Sequence, residues 1–156
     1  MVPPASGRPY DWRMETYRHV AVAIEDSPGS ERALAEAARM AALTGARLSV
    51  LHVTSIPMPP PYMGEGGVFL PDPEVMEHAA LVWLKRAIDG VPGATPVILH
   101  GYPPDAVCLW AAAKEVDLLL AGSERGKIER ILLGSFALHL LRHAPCDVLL
   151  ARLPKS

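Results

Sequence analysis

Residues 19–53 read HVAVAIEDSPGSERALAEAARMAALTGARLSVLHV. The run at 19–25 consists mostly of small and β-branched apolar residues, which favours a strand covered on both faces. Ser27 is placed to cap a helix, apolar residues then recur at helical spacing, and Gly45 is placed to end that helix. A second apolar run follows at 46–53. The stretch therefore predicts a β-α-β unit, in which a helix joins two parallel strands.

The alternation of strands and helices continues towards the C-terminus. Apolar spacing predicts a helix at 74–89, a strand at 95–100, a helix that starts within 101–105, a strand at 117–121, a helix at 131–143 and a strand at 146–153. Residues 54–73 hold six prolines and three glycines, which argues against a helix or interior strand there. The whole pattern predicts an α/β fold: a three-layer open, mostly parallel five-stranded sheet with helices on both faces.

The composition fits one globular domain and excludes several classes of protein. The chain has 156 residues, half of them apolar, which is enough for one packed core. We expect residues 1–17, with three prolines and a glycine, to form a flexible tail, and residues 18–156 to form the domain. The net charge of -2 argues against a nucleic-acid or anionic-membrane binder. Two cysteines are too few for a disulfide framework and no apolar run is long enough to span a bilayer, so a soluble, cytoplasmic protein is predicted.

Two segments at predicted strand ends carry residues suited to a ligand. Glu25 to Ser27 follow the first strand, and the loop at 122–135 follows the fourth. Ligands of open α/β sheets bind beyond the carboxyl ends of strands where the strand order reverses, so the two segments would meet if these strands are neighbours. Glycine amides and a helix N-terminus can hold a phosphate there, with Arg125, Lys127 and Arg130 adding positive charge. The alternative is an ordinary connecting loop whose glycines only make tight turns.

Better-known motifs for phosphate binding, catalysis and metal binding are absent. The GSERGK run at 122–127 has three residues between its glycines where a P-loop has four, and Ile128 stands where a P-loop has Ser or Thr. No G-x-G-x-x-G follows the first strand, and Ser135 lacks the G-x-S-x-G context of a nucleophile elbow. His139 and His143 have the spacing of metal ligands on a helix, but no third ligand is evident. We therefore predict no catalytic residue and no metal site.

The other histidines and the cysteines allow more than one interpretation. His52 and His100 lie near the ends of the second and third strands, where they can line a ligand crevice or simply cap the edge of the core. Cys108 and Cys146 fall on a helix and at the start of the last strand, and we expect both thiols to be buried and inert.

Four stretches of the chain resemble the universal stress protein family. They are VAVAIEDSPGSERALAEAARMA, RLSVLHV, HGYPPDAV and VDLLLAGSERGKIERILLGSFALHLLRHAPCDVLLAR, within residues 18–153. The last block, with LLGS followed by LRHAPCDVLL, is the most specific. The resemblance implies strand order 3-2-1-4-5 and a homodimer that pairs the last strands antiparallel, here Val148 to Leu153. It also implies a stress-response regulator or binding module without efficient catalysis.

One branch of that family binds ATP through the pattern G-x2-G-x9-G-[S/T], which this chain matches incompletely. Gly122 fits the first glycine and Gly134-Ser135 the end, but eleven residues lie between Gly122 and Gly134 where the pattern has twelve. Counting from Gly122 puts Arg125 at the second glycine, and counting back from Gly134 puts Glu124 there. Gly126 can serve only if the loop is rearranged.

The nucleoside end of the family's site also differs here. The usual aspartate position holds Glu25, and Asp26 stands where glycine is common. In the ATP-binding branch the acidic residue helps to hold the adenosine, and backbone after the second strand, here Val53, meets the base. Glu25 can accept a hydrogen bond from a ribose hydroxyl or an adenine amino group, or its side chain can instead cap the helix at Ser27.

The resemblance and the loop chemistry together predict an adenine-nucleotide site. The ligand would be ATP or AMP, with Mg²⁺ accompanying ATP. The residues expected to bind it are Ala23, Ile24, Glu25, Val53, Ala121, Gly122, Arg125, Gly126, Gly134, Ser135 and Phe136. Two alternatives stay open: a dimeric interaction protein of the same fold that binds no nucleotide, and a slow ATPase with Glu25 or Asp26 as general base.

Overall fold

The computed structural model describes residues 16–54, 72–123 and 134–153. Five strands and four helices alternate along these residues in the predicted order. Their bounds are β1 His19–Ala23, α1 Pro28–Thr44, β2 Arg47–Thr54, α2 Pro73–Ala87, β3 Ala94–His100, α3 Pro103–Ala113, β4 Leu118–Gly122, α4 Ser135–His143 and β5 Asp147–Ala151.

Parts of three predicted segments lie outside the described residues: 1–15 of the tail, 55–71 of the proline-rich stretch and 124–133 of the glycine loop. Tyr17, the last residue assigned to the tail, packs against the core and donates a hydrogen bond to Asp147 (3.0 Å). None of the helices described is both long and apolar enough to cross a bilayer.

The sheet is parallel, with the strand order β3-β2-β1-β4-β5, which confirms the predicted fold. β1 pairs with β2 on one side and with β4 on the other, so the strand order reverses at β1. As a result, the segment after Ala23 and the loop after Gly122 leave the sheet side by side, as the ligand-site prediction required. We call this end of the sheet the carboxyl edge and the opposite end the amino edge.

Each face of the sheet is covered by two helices, because successive strand side chains point to opposite faces. Val20 and Val22 point to the face where α1 and α2 pack, and both are fully buried. Ala21, between them, points to the face covered by α3 and α4. Burial on both faces explains why the strands read as continuous apolar runs.

The ends of α1 have the residues that the sequence predicts. The Ser27 hydroxyl accepts a hydrogen bond from the Ser30 amide (3.2 Å), and Gly45 ends the helix in the left-handed conformation at φ 70°. The helix expected at 131–143 is wrong at Gly134, which has extended backbone (φ −55°, ψ 154°), so α4 begins at Ser135; residues 131–133 lie outside the described residues.

Side-chain hydrogen bonds hold the amino edge together. One carboxylate oxygen of Asp117 accepts hydrogen bonds from the backbone amides of Arg18 (2.7 Å) and His19 (2.8 Å). The buried His19 ring lies 3.0 Å from the Lys114 carbonyl and 2.8 Å from the Ser49 hydroxyl. These contacts fix the starts of β1, β2 and β4 relative to one another, at the end of the sheet opposite the site.

Candidate functional site

A cleft of about 740 Å³ opens at the carboxyl edge, between the ends of β1 and β4. Such a volume suits a small-molecule ligand, and the position is where open α/β sheets bind ligands. Its described lining comes from the ends of β1, β2 and β4 and from the first turns of α1, α3 and α4.

Most of the residues predicted to bind a ligand line this one cleft. They are Ala23, Ile24, Glu25, Val53, Ala121, Gly122, Gly134, Ser135 and Phe136. The two others, Arg125 and Gly126, lie outside the described residues. The sequence prediction thus names residues from four separate segments that the fold brings to a common cavity.

Three helices begin at the cleft, but their N-termini differ in the donors they present. α1 is capped by Ser27 and carries a proline at its first position. α3 begins with Pro103 and Pro104, which have no N–H group to donate. α4 begins after Gly134 with no side-chain cap, so the first amides, starting at Ser135, face the cleft without an intrahelical partner. An anion in the cleft would therefore find its best donors at α4.

The hydroxyls of Ser27 and Ser30 are already engaged with each other and with the backbone. The Ser30 hydroxyl accepts a hydrogen bond from the Glu25 amide (2.9 Å) and lies 3.2 Å from the Ser27 hydroxyl. Ser27 rather than the Glu25 carboxylate caps α1, so the capping role considered for Glu25 is wrong. Glu25 is exposed and is the one charged side chain among the described residues that line the cleft.

Gly122 brings the floor of the cleft against the start of α1. A Cβ atom on Gly122 would lie 2.6 Å from both the carbonyl carbon and the oxygen of Gly29, a distance that real Cβ atoms essentially never show. Any side chain at this position would push α1 away from β4. Gly122 therefore has a packing reason to be glycine that is independent of any ligand.

The pairing of β1 with β2 ends inside the cleft. The last backbone hydrogen bond between them runs from the Ile24 amide to the Leu51 carbonyl (2.9 Å). Val53, two residues further along β2, points its amide and carbonyl to the same side as Leu51, because these groups alternate along a strand. Among the described residues, no backbone hydrogen bond from Ile24 or Asp26 reaches Val53. Within the described residues, the Val53 peptide groups are thus an edge in the cleft wall without a backbone partner.

The side chain of His52 bonds to the carbonyl at which that pairing would have continued. Its Nδ1 lies 2.9 Å from the Ile24 carbonyl oxygen, and because a carbonyl can only accept, Nδ1 carries the proton. The ring also packs on the Trp83 ring, with centroids 4.7 Å apart. His52 lines the cleft, whereas His100 bonds to Thr54 (2.8 Å) and is not among the lining residues described.

Likeness to known proteins identifies the family of this chain. The model described as "Universal stress protein family" matches residues 16–152. The chain belongs to the universal stress protein family. A universal stress protein of Thermus aquaticus is 32% identical over 138 residues, which cover 87% of this chain and 99% of that one.

Two solved universal stress proteins share the fold. One, in complex with cAMP, has a TM-score of 0.64 and 23% identity, covering 90% of this chain and 100% of that chain. The other, from Archaeoglobus fulgidus in complex with dAMP, has a TM-score of 0.61 and 23% identity, covering 88% and 99%. At this identity the likeness establishes the fold of this universal stress protein and leaves its ligand to be argued from its own residues.

The sequence interpretation missed the part of the cleft wall that comes from α3. Tyr102, Pro103 and Pro104 line the cleft, and Tyr102 is 62% exposed at its rim. The ring of His139 meets Tyr102 edge-on at 6.3 Å, while its Nε2 lies 3.0 Å from Asp105. Their position in the sequence could have indicated that they line the cleft, because they follow the carboxyl end of β3 as the predicted ligand segments follow β1 and β4.

The two cysteines of this universal stress protein are half-buried free thiols on the α3–α4 side of the sheet. Burial, with the nearby Asp105 charge, raises the pKa of the Cys108 thiol. Burial, with the charges of Asp147 and Asp117, raises the pKa of Cys146 to about 11. Both thiols are protonated near neutral pH, so neither is an activated nucleophile.

Proposed function

We propose that this universal stress protein binds an adenine nucleotide in the carboxyl-edge cleft and acts as a stress-response regulatory module. One observation carries the proposal: in the part of the chain that the structure describes, the start of α4 has no side-chain cap, the Val53 peptide edge has no backbone partner, and both lie in the lining of the same cavity. The first suits a phosphate and the second suits the hydrogen-bonding edge of a base. A nucleotide presents both groups in one molecule.

The phosphate would bind at the start of α4. The amides there have no side-chain cap from a described residue, the helix dipole adds positive potential, and Ser135 contributes an exposed hydroxyl. No charged side chain described in the lining opposes the anion except Glu25, at the end of β1. Arg125 of the glycine loop adds positive charge in the proposed complex, together with backbone of Gly126.

The nucleoside would lie between the ends of β1 and β2. A peptide amide and carbonyl on one strand edge provide a donor and an acceptor, which complement the ring nitrogen and amino group of adenine. The exposed Glu25 carboxylate can accept a hydrogen bond from a ribose hydroxyl. The universal stress proteins solved with cAMP and dAMP support an adenine ligand for this fold.

ATP and AMP both fit this chemistry, and Mg²⁺ would enter with the phosphates of ATP. Mg²⁺ prefers carboxylate and phosphate oxygens and keeps several waters. Glu25 is an exposed carboxylate in the lining of the cleft, so its donor chemistry fits the ion. The ion would neutralise phosphate charge, and the role of the protein is to bind and orient the nucleotide.

We also propose that the protein is a cytoplasmic homodimer that pairs through β5. β5 forms one edge of the sheet, and Val148, Leu149 and Leu150 are only half-buried there. An apolar edge strand is normally hidden against a partner, and a second copy offers a matching strand. The free thiols Cys108 and Cys146 support a reducing compartment.

Calorimetry with AMP, with ATP plus Mg²⁺ and with adenosine tests nucleotide binding. We expect AMP and ATP to bind the wild-type protein, and nucleotide to be released when the purified protein is denatured. Gly134→Asp places a carboxylate at the N-terminus of α4, where it caps the helix and repels phosphate. It should weaken AMP binding by at least about tenfold, or 1.4 kcal/mol, and change adenosine binding little.

Gly134→Ala is the matched control, because it alters the same position without adding charge. It should retain most of the AMP affinity. Equal losses of AMP and adenosine affinity in Gly134→Asp would remove the phosphate assignment. No released nucleotide and no heat at millimolar AMP or ATP would refute the proposal in favour of a nucleotide-free interaction protein, and rapid ATP hydrolysis would contradict the binding-module role.

A further inference from the structure

We infer that His52 is a positioning residue that holds the peptide edge of Val53 open for the base. The inference rests on the proposed nucleotide site and names a residue that determines its base recognition. It concerns the hydrogen bond that His52 makes and the one that it prevents, rather than a contact between His52 and the ligand.

The register of β1 and β2 shows which hydrogen bond is prevented. Leu51 accepts a hydrogen bond from the Ile24 amide, so in a regular parallel ladder the next bond would run from the Val53 amide to the Ile24 carbonyl. That carbonyl instead lies 2.9 Å from His52 Nδ1. On the other side of β2, the Thr54 carbonyl accepts a hydrogen bond from the Gly101 amide (3.4 Å), consistent with Val53 pointing towards the cleft.

The His52 ring is held in this position by its neighbours. Its packing on Trp83 of α2, at 4.7 Å between ring centroids, restricts its rotation. The proton on Nδ1 follows from the carbonyl partner, and it is present whether the ring is neutral or charged. The ring therefore occupies the Ile24 carbonyl in both protonation states.

Removing this donor leaves a carbonyl near the core without a partner. Ile24 is 7% exposed, and a buried carbonyl that loses its hydrogen bond favours any rearrangement that supplies another. The Val53 amide is the donor that the strand register places next in line. When it pairs with Ile24, the ladder extends by one step and the base loses its donor.

Three substitutions at position 52 separate the effect of the N–H donor from the effect of ring packing. His52→Leu removes the donor and retains apolar bulk beside Trp83. His52→Asn places an amide N–H near the position of Nδ1 without the ring, so it should keep the Ile24 carbonyl occupied. His52→Gln carries its donor one bond further out, near the position of Nε2, and should behave like His52→Leu.

Amide hydrogen exchange at Val53 reports on the ladder without any ligand. We expect exchange at the Val53 amide to be at least about tenfold slower in His52→Leu than in the wild type or in His52→Asn, because the new hydrogen bond protects it. His100→Leu is the matched control: His100 occupies the end of the neighbouring strand and bonds to Thr54, so Val53 exchange should not change.

Ligand affinities then test the effect on the base. AMP affinity should fall about tenfold in His52→Leu, recover in His52→Asn, and stay unchanged in His100→Leu. Ribose 5-phosphate, which carries the phosphate and sugar without a base, should bind all variants within about twofold of the wild type. A merely structural defect would instead lower the affinity for AMP and for ribose 5-phosphate together.

The outcomes separate this inference from the proposed function. If the wild type binds no AMP, the proposed function fails and the exchange measurement alone decides whether His52 holds the ladder open. Unchanged Val53 exchange in His52→Leu overturns the inference whatever the ligand does. Parallel losses of AMP and ribose 5-phosphate affinity overturn the assignment of His52 to base recognition.

Discussion

Gly122 shows how a single residue can serve the packing and the site together. It ends β4 and lines the cleft, and the backbone of Gly29 at the start of α1 lies against it. In the family pattern a glycine here implies contact with phosphate, but the close approach of two backbones already requires one. Loss of ligand binding on mutation of Gly122 would therefore not by itself prove a phosphate contact.

Substituting the two glycines separately should give changes of opposite sign in stability. Gly122→Ala places a Cβ 2.6 Å from Gly29 backbone and should lower the free energy of unfolding by about 1–3 kcal/mol. A Cβ atom on Gly29 would meet nothing closer than 3.6 Å, and Gly29 lies in a helix. Gly29→Ala should therefore raise the free energy of unfolding by up to about 1 kcal/mol. Urea unfolding measures the stability of both variants. Equal stabilities of Gly122→Ala and Gly29→Ala would show that the contact between Gly122 and Gly29 relaxes freely.

At the scale of the elements, local signals predict most of the fold. α1 is predicted from end to end because Ser27 and Gly45 mark its termini and apolar spacing fills the interior. The helix predicted at 131–143 includes Gly134 because apolar spacing continues across this residue, whose extended backbone the periodicity does not reveal. The sequence therefore indicates the existence of an element better than its boundary where no capping side chain is present.

Strand ends and the family likeness predict only part of the candidate site. Glu25 is predicted because ligands collect beyond the carboxyl ends of parallel strands, and Val53 because the family resemblance implies it; both line the cleft. The contact of Gly122 with Gly29 and the bond from His52 to Ile24 join residues far apart in the chain. Such contacts depend on the register and the spacing of whole strands and helices, so no local pattern in the sequence predicts them.

The hydrogen bonds of Asp117 link the starts of β1 and β4, and they should make stability depend on pH. Burial alone would raise the pKa of the Asp117 carboxyl, but the amides of Arg18 and His19 outweigh burial and lower it from 3.8. A lowered folded-state pKa means that the stabilisation is complete well above pH 4 and is lost as the pH falls through that lowered value.

Asp117→Asn should remove this pH dependence. Relative to the wild type, we expect the variant to lose about 1 kcal/mol at pH 7 and to approach wild-type stability as the pH falls through the lowered pKa of Asp117 and the carboxyl takes up a proton. Urea unfolding of both proteins across this range measures the difference. If the difference in the free energy of unfolding between the two proteins stays constant down to pH 2, the charge of Asp117 does not stabilise the fold.

On the scale of the whole molecule, apolar surface remains beside the free edge of the sheet. Leu138 and Leu141 of α4 are 38% and 49% exposed. The two leucines are three residues apart and so share one face of α4, a helix that packs against β5. We expect an antiparallel pairing of two copies through β5 to cover this apolar surface.

The main-chain groups of β5 alternate between β4 and the free edge, so a substitution can test the proposed dimer. Ala151 accepts a hydrogen bond from the Ser123 amide, so residues 149 and 151 face β4, and Val148 and Leu150 point their amides outwards. Val148→Pro removes an outward amide from each copy without removing a β4 hydrogen bond.

Two hydrogen bonds are then lost per symmetric dimer, and we expect the dimer dissociation constant to rise about 100-fold. Sedimentation equilibrium measures that constant. Val148→Ala loses comparable packing but keeps the amide, so it should remain mostly dimeric. If both variants dissociate equally, side-chain packing holds the dimer; if neither does, or if the wild type is a monomer, β5 is not the pairing strand.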